Sequence, residues 1–424
     1  MNPELCARLL EEAERAQDEL VALTQALVRI PSVNPPGEHY RDAAELLGAD
    51  LAERGYQVAY HEAEGSRSHS RAHPRVNVLA RLGDGAHPVV HLNGHLDVVP
   101  ASAGWTVDPF AGLVTDGKLY GRGTADMKAG LAAGVLAVEV ARRAGLALRG
   151  SVEISGTVDE ESGGQAGVAW LCEKGVIRRD RVDHVIIPEP LDPDRICVGH
   201  RGVYWFKVTA HGRVAHGSMP FLGSSAIDHL AHFVERVRTE LQPALRERVT
   251  HMPVVPDMAR HATLNVNAIL GGQAGCEPQT PCVADHAEAI FDRRFLLEEG
   301  FVAAKEEIVA LLAKARAEDP SRRYTLEDLL VFHPVQTPAG SPLVAALERA
   351  IEQVYSRPAQ LVASPGTYDH KHFARLAGIE HCVAYGPGTL ELAHQPDEHV
   401  AIEDLVRATG VMALALVDLG VFAA

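Results

Sequence analysis

Basic residues are scarce in this sequence: 40 Lys and Arg stand against 56 Asp and Glu, giving a formal net charge of −16. A clustered basic surface, which nucleic acids and anionic membranes both require, is therefore not expected. No apolar run approaches the ~18 residues of a membrane span. The six cysteines, Cys6, Cys172, Cys197, Cys276, Cys282 and Cys382, are scattered and form no CxxC pair. This excludes the common zinc-ribbon and dithiol redox motifs and fits reduced, mostly buried thiols. The N-terminal stretch has apolar positions at helical spacing and many acids, without the basic start and apolar segment of a signal peptide. Together these features lead us to expect a cytoplasmic protein. There is no low-complexity tract and no repeat period, which argues against a disordered tail or a solenoid.

What is present is enough apolar sequence for sizeable cores, 46% of 424 residues. That length exceeds the roughly 100 to 200 residues of an ordinary domain, so two domains are expected. HPVVHLNGHLD, SVEISGTVDEESGG, VDHVIIPEP and EHCVAYGPG are each β-branched or apolar runs ending in Gly, Pro or acid, and read as buried strands. Helical patterns such as MKAGLAAGVLAVEVARRAG and SPLVAALERAIEQVYSR lie between them. The alternation predicts an α/β fold, a mixed sheet covered by helices. From about residue 202 the character changes to a strand, a helix, two strands and a helix, an α+β order typical of a small inserted unit. We expect a discontinuous catalytic domain, 1–201 and 326–424, interrupted by a smaller domain at 202–325.

Potential metal ligands fall at the ends of these predicted strands. His95 and Asp97 follow PVVHL, Glu160 and Glu161 follow SVEISGTVD, and Glu189 follows HVIIP. Asp126 opens a helix in GRGTADMK, and His394 lies in AHQPDE beyond the GPG loop. The carboxyl ends of strands in an open α/β sheet form one edge, so residues distant in sequence can converge there. Two imidazoles and three carboxylates suit zinc or a similar divalent ion. Against the charge of Asp126, Glu161 and Glu189, two divalent ions leave a single positive charge and one leaves a single negative charge. Two ions roughly 3.5 to 4 Å apart bring the pKa of a shared water to near 7. His95 and Asp97, two apart on a strand, point the same way, so the carboxylate is expected to orient the imidazole. The turn through Gly163 and Gly164 frees Glu160 and Glu161 to converge, one to bind metal and the other to act as general base.

In order and spacing, RIPSVNPPGE, GHLDVVP, WTVDPFAG, GRGTADMKAG, TVDEESGG, PEP, VAHGSMP and GPGTLELAHQPDE run through almost the whole chain. The sequence thereby resembles the cocatalytic zinc amidohydrolases that include acetylornithine deacetylase, succinyl-diaminopimelate desuccinylase, aminoacylase and the glutamate-releasing carboxypeptidases. The resemblance implies that Asp126 bridges two zinc or cobalt ions, with His95 and Glu189 on one and Glu161 and His394 on the other. It implies Asp97 as the residue orienting His95 and Glu160 as the base. The inserted unit would be a lid and dimerisation domain whose His216 polarises the scissile carbonyl, often across a homodimer, and whose Arg294 meets a substrate carboxylate. The expected substrate is a small N-acyl amino acid, and a dipeptidase or carboxypeptidase acting on short peptides is the alternative. Two stretches depart from the common pattern: Pro281 stands where relatives often carry Asn, and SPGTYDHKHF stands where they often read GTSDARF. If the second lies near the active site, it adds Tyr368, His370, Lys371 and His372 there.

Overall fold

The structure is a computed structural model that describes residues 2–423. Its contacts divide the chain into two compact units, one of residues 1–199, 337–362 and 368–424, the other of 200–336 and 363–367.

The first unit is built on a mixed sheet. Its strands lie in the order Gln57–Glu62, Val76–Leu82, Ser151–Thr157, Val89–His95, His184–Ile187, Cys382–Ala384 and Arg195–His200. The four from Ser151–Thr157 to Cys382–Ala384 run parallel, so their carboxyl ends share one edge. Alternation along the two central strands separates two kinds of face. Leu92 and Ile154, both fully buried, belong to the same apolar core as Leu131 and Leu136 of the helix Lys128–Arg143. Burying each such side chain contributes about 1.5–3 kcal/mol. The intervening residues are polar: His91 lies 3.0 Å from Glu153 and 2.7 Å from Ser155, and Ser155 donates to Asn93 Oδ1 at 2.7 Å. Against this polar side pack Phe373, with its ring 5.5 Å from that of His91, and Asp369, which accepts from Asn93 at 3.1 Å. The SPGTYDHKHF stretch is thus largely internal: Asp369, His370, Lys371 and His372 are all buried.

The second unit is a four-stranded antiparallel sheet in the order Thr263–Gly272, His286–Phe295, Gly202–His211 and Arg323–Phe332. Its core is aromatic, with Phe206 and Phe291 stacked at 4.8 Å and Phe233 edge-on to Phe291 at 5.7 Å. The helices Ala226–Arg236 and Phe301–Glu318 contribute Phe233 and Ile308 to it. The fourth strand corrects the sequence reading, which closed this unit at 325 after three strands. Arg323–Phe332 crosses that boundary and pairs with Gly202–His211 along its length. Its register shifts opposite Trp205 and Phe206, where Leu329 is the extra residue. The bulge breaks the two-residue period that identifies a strand, and the acidic pair Glu327 and Asp328 obscures what remains.

Close approach to the edge that carries the acids is reserved for glycine. A Cβ on Gly130 would lie 1.9 Å from the carbonyl oxygen of Pro188, and one on Gly386 would lie 2.3 Å from the same atom. Both neighbours are backbone, so neither clash is relieved by a side-chain rotation. Gly130→Ala is expected to destabilise the chain by about 1–3 kcal/mol, read as a lower urea midpoint with an unchanged m-value. An unchanged midpoint would show that the helix and the Pro188 segment can move apart freely.

Candidate metal centre

His95 closes the strand Val89–His95 and is buried. Its Nδ1 lies 2.8 Å from the backbone carbonyl of Asp97. A carbonyl only accepts, so Nδ1 carries a proton and Nε2 is the ring nitrogen that faces the acids beyond. That Nε2 lies 2.9 Å from Asp126 Oδ1 and 3.9 Å from Glu189 Oε1. Asp126 sits in the turn before the helix Lys128–Arg143, and Glu189 follows the strand His184–Ile187. On the other side of Asp126, His394 Nε2 lies 3.4 Å from Asp126 Oδ2 and 3.1 Å from Glu161 Oε2. Two triplets result, His95, Asp126 and Glu189, and Asp126, Glu161 and His394, each with one donor atom per residue within 4.8 Å of the others. Asp126 belongs to both.

Asp97 does other work than the strand alternation suggested. The chain leaves the strand at His95, and the Asp97 carboxylate lies 3.8 Å from His95 Nδ1, too far for a hydrogen bond. It accepts instead from the backbone N–H groups of Glu160 and Glu161, each at 3.2 Å, and from Asn34 Nδ2 at 2.8 Å. Asp97 therefore orients His95 through its backbone and anchors the Glu160–Ser162 turn through its side chain. That turn is flanked by left-handed backbone at Asp159, φ 62°, and Gly163, φ 107°. Arg75 Nε at 3.0 Å and the Tyr40 hydroxyl at 3.1 Å hold the Asp159 carboxylate.

The electrostatics match this donor set. Burial raises Glu189 well above the usual carboxylate range, and the Asp126 charge pushes the same way. Burial also opposes ionisation of Asp126, yet hydrogen bonds with His394 and His95 hold it well below its usual value. Burial disfavours a charged His95, but Asp126 and Glu189 outweigh it and raise that imidazole well above its usual value. Hydrogen bonds to Asp126 and Glu161 lift His394 to about 10. With only the protein's own groups to draw on, the carboxylates hold protons on both imidazoles. A divalent ion satisfies the same carboxylates and leaves the imidazoles neutral, the form that ligates. The residues present therefore fit a divalent metal.

Glu160 stands beside the triplets without belonging to either. Burial lifts it to about 8, against the pull of Lys371, whose Nζ lies 3.8 Å from Glu160 Oε1. The sequence offers Lys371 for the site only on the condition that its stretch lies near it, and does not single out Asn34. Lys371 lies in the SPGTYDHKHF departure and Asn34 in the RIPSVNPPGE motif, and neither pattern shows the contact its side chain makes.

His216 and Arg294 belong to the second unit. His216 is on an exposed turn, where its Nδ1 accepts from the Ser218 N–H at 3.1 Å and lies 2.7 Å from Ser218 Oγ. Pro281 backs this turn, its carbonyl accepting from the Gly217 N–H at 2.6 Å. Arg294 is held by Asp292 through two hydrogen bonds of 2.7 and 2.9 Å, so a substrate carboxylate would compete with Asp292 for the guanidinium.

The chain matches the model of peptidase family M20/M25/M40 over residues 91–418. It is 30% identical over 343 residues to a probable succinyl-diaminopimelate desuccinylase of Staphylococcus epidermidis, covering 77% of this chain and 82% of that one. A succinyl-diaminopimelate desuccinylase of Methylorubrum populi is 30% identical over 403 residues, covering 92% and 96%. Among solved structures, human carnosine dipeptidase 1 superposes with a TM-score of 0.72 at 21% identity, covering 98% and 99%. A metallo-carboxypeptidase of Sulfolobus solfataricus gives 0.72 at 21%, covering 94% and 98%. At these identities the two structures speak for the fold.

The donor set makes metal and folding stability interdependent. Adding Zn2+ to chelator-stripped protein is expected to raise its stability by about 2.7 kcal/mol at a free ion concentration of roughly 100 times Kd. Asp126→Asn, which alters both triplets, should remove most of that gain. A urea midpoint unmoved by Zn2+, Co2+ and Mn2+ would rule out a metal centre here.

Proposed function

The chain belongs to peptidase family M20/M25/M40, and we propose that this metal-dependent amidohydrolase removes the acyl group from a small N-acyl amino acid. The observation that carries the reading is the pair of donor triplets sharing Asp126. In it His95, Asp126 and Glu189 hold one divalent ion and Asp126, Glu161 and His394 the other, zinc being the expected metal and cobalt the alternative. When bound, the ions supply Lewis-acid polarisation of the scissile carbonyl and lower the pKa of water.

The chain's own residues do the rest. Glu160, mostly shielded from solvent beside the triplets, takes a proton from the attacking water as its oxygen bonds to the acyl carbon. It then delivers that proton to the amide nitrogen as the C–N bond breaks, leaving a carboxylate and a free amine. Asp97 holds the backbone of Glu160 and Glu161 in place. His216 donates to the carbonyl oxygen as negative charge develops there, and Arg294 exchanges Asp292 for the substrate carboxylate. The edge strand Thr263–Gly272 exposes Ile269 and Leu270; an uncovered apolar edge supports pairing with a second copy in a homodimer. The acyl-amino-acid reading is supported by the two desuccinylases at 30% identity.

An amine-release assay with zinc or cobalt, comparing N-succinyl and N-acetyl amino acids with dipeptides, tests the substrate class. Turnover confined to dipeptides would overturn it. Glu160→Gln is expected to lower kcat by about 10²–10⁴-fold while the bound metal content stays that of the parent. Retained activity with metals bound would remove Glu160 from the role of base.

A further inference from the structure

Asp126 and His394 are separated by most of the chain, yet both must face the same ion. The segments that carry them are joined by a buried ion pair. Arg122 is 1% exposed and Glu398 fully buried, and Arg122 Nη1 donates to Glu398 Oε2. Each partner also grips the other's segment. Glu398 Oε1 accepts from the backbone N–H groups of Gly123 and Ala125 at 2.9 Å and of Asp126 itself at 3.1 Å. Arg122 Nη2 donates to the carbonyl of His394 at 3.2 Å, and Nη1 to that of Gln395 at 3.4 Å.

These contacts act where the backbone needs support. His394 and Asp397 both take left-handed conformations, φ 64° and 55°, which are unfavourable for residues other than glycine and persist only where the surroundings enforce them. Further ties run in parallel: the Gly121 N–H donates to the Glu398 carbonyl at 2.9 Å, and Thr106 donates from N–H and Oγ1 to Asp397 at 2.7 and 2.8 Å. The Arg122 guanidinium lies 5.2 Å from the Trp105 ring centroid. Truncating either charge leaves its partner buried and unpaired, whereas a conservative exchange removes only part of the grip.

We infer that the Arg122–Glu398 pair is a positioning device that sets the spacing of Asp126 and His394, and thereby the affinity of the ion held by Asp126, Glu161 and His394. The inference rests on the two-ion reading of the site. It assigns neither residue to the metal; both act through the ligands. It predicts an asymmetry, because the ligands His95 and Glu189 hang on the strands Val89–His95 and His184–Ile187 and receive none of the contacts that the pair makes.

The test measures Zn2+ affinity of the full chain by competition with a chromophoric chelator, parent beside Arg122→Lys and Thr106→Ala. Lysine keeps the charge toward Glu398 but cannot span both carbonyls. Arg122→Lys should bind one ion as tightly as the parent and the other about 10–100-fold more weakly. Its kcat should be restored by excess zinc while KM is unchanged. Thr106→Ala, at the exposed margin of the same junction, should weaken the same ion by a smaller factor, and it decides the matter if Arg122→Lys does not fold. Unchanged affinities in both variants, or equal weakening of both ions, would overturn the inference. A parent chain that binds fewer than two ions overturns the two-ion reading instead, and shows it before any substitution is made.

Discussion

Several carboxylates held out of water within a few ångströms of one another dominate this protein's organisation. Like charges in a medium of low dielectric repel strongly, and each also loses its hydration. The first unit sets a guanidinium against several of the structural acids: Asp159 faces Arg75, Glu398 faces Arg122, and Glu153 faces Arg81. Asp126 and Glu161 are met by imidazoles instead. An imidazole can surrender its proton and become a ligand, which a guanidinium cannot do. The division between the two kinds of partner separates the scaffold from the centre that is proposed to hold metal.

The scaffold's polar side follows from the same constraint. His91, Asn93, Ser155 and Asp369 are linked beneath the site by hydrogen bonds, so the segment that bears Lys371 is tied to the strand that bears His95. The apolar side of the same strands packs on helices. One pair of strands thus supplies hydrophobic stability on one side and a hydrogen-bonded base for the site on the other.

Much of this was legible in the sequence because the parallel strands announce themselves as β-branched runs and end in the residues that matter. His95, Glu160, Glu161 and Glu189 could be placed at one edge on that ground alone, and Asp126 and His394 through their Gly-rich flanks. Tertiary geometry hid the rest. The period-two argument put the Asp97 side chain beside His95, but the strand stops first, and a backbone carbonyl takes that contact. The resemblance assigns Arg294 to a substrate carboxylate, and nothing in the pattern of FDRRF shows that Asp292, two residues earlier on the same face, engages it. Asn34 lies in the RIPSVNPPGE motif, but the motif does not show its role, which is to reach Asp97 from a loop 63 residues away. The strand Arg323–Phe332 escaped notice because one bulged residue is enough to erase its alternation.

The junction between the 121–126 and 394–398 segments has a consequence for the chain during its synthesis. His95, Asp126 and Glu189 all lie in the first two hundred residues, whereas the triplet that shares Asp126 waits for His394, which is made after the whole second unit. Arg122 and the Glu398-binding N–H groups remain unpartnered for the same interval. A ribosome-bound chain therefore offers metal an incomplete set of donors and an exposed positive charge beside it. Capacity for the complete donor set arrives only when the segment bearing His394 and Glu398 has been made and joined to residues 121–126.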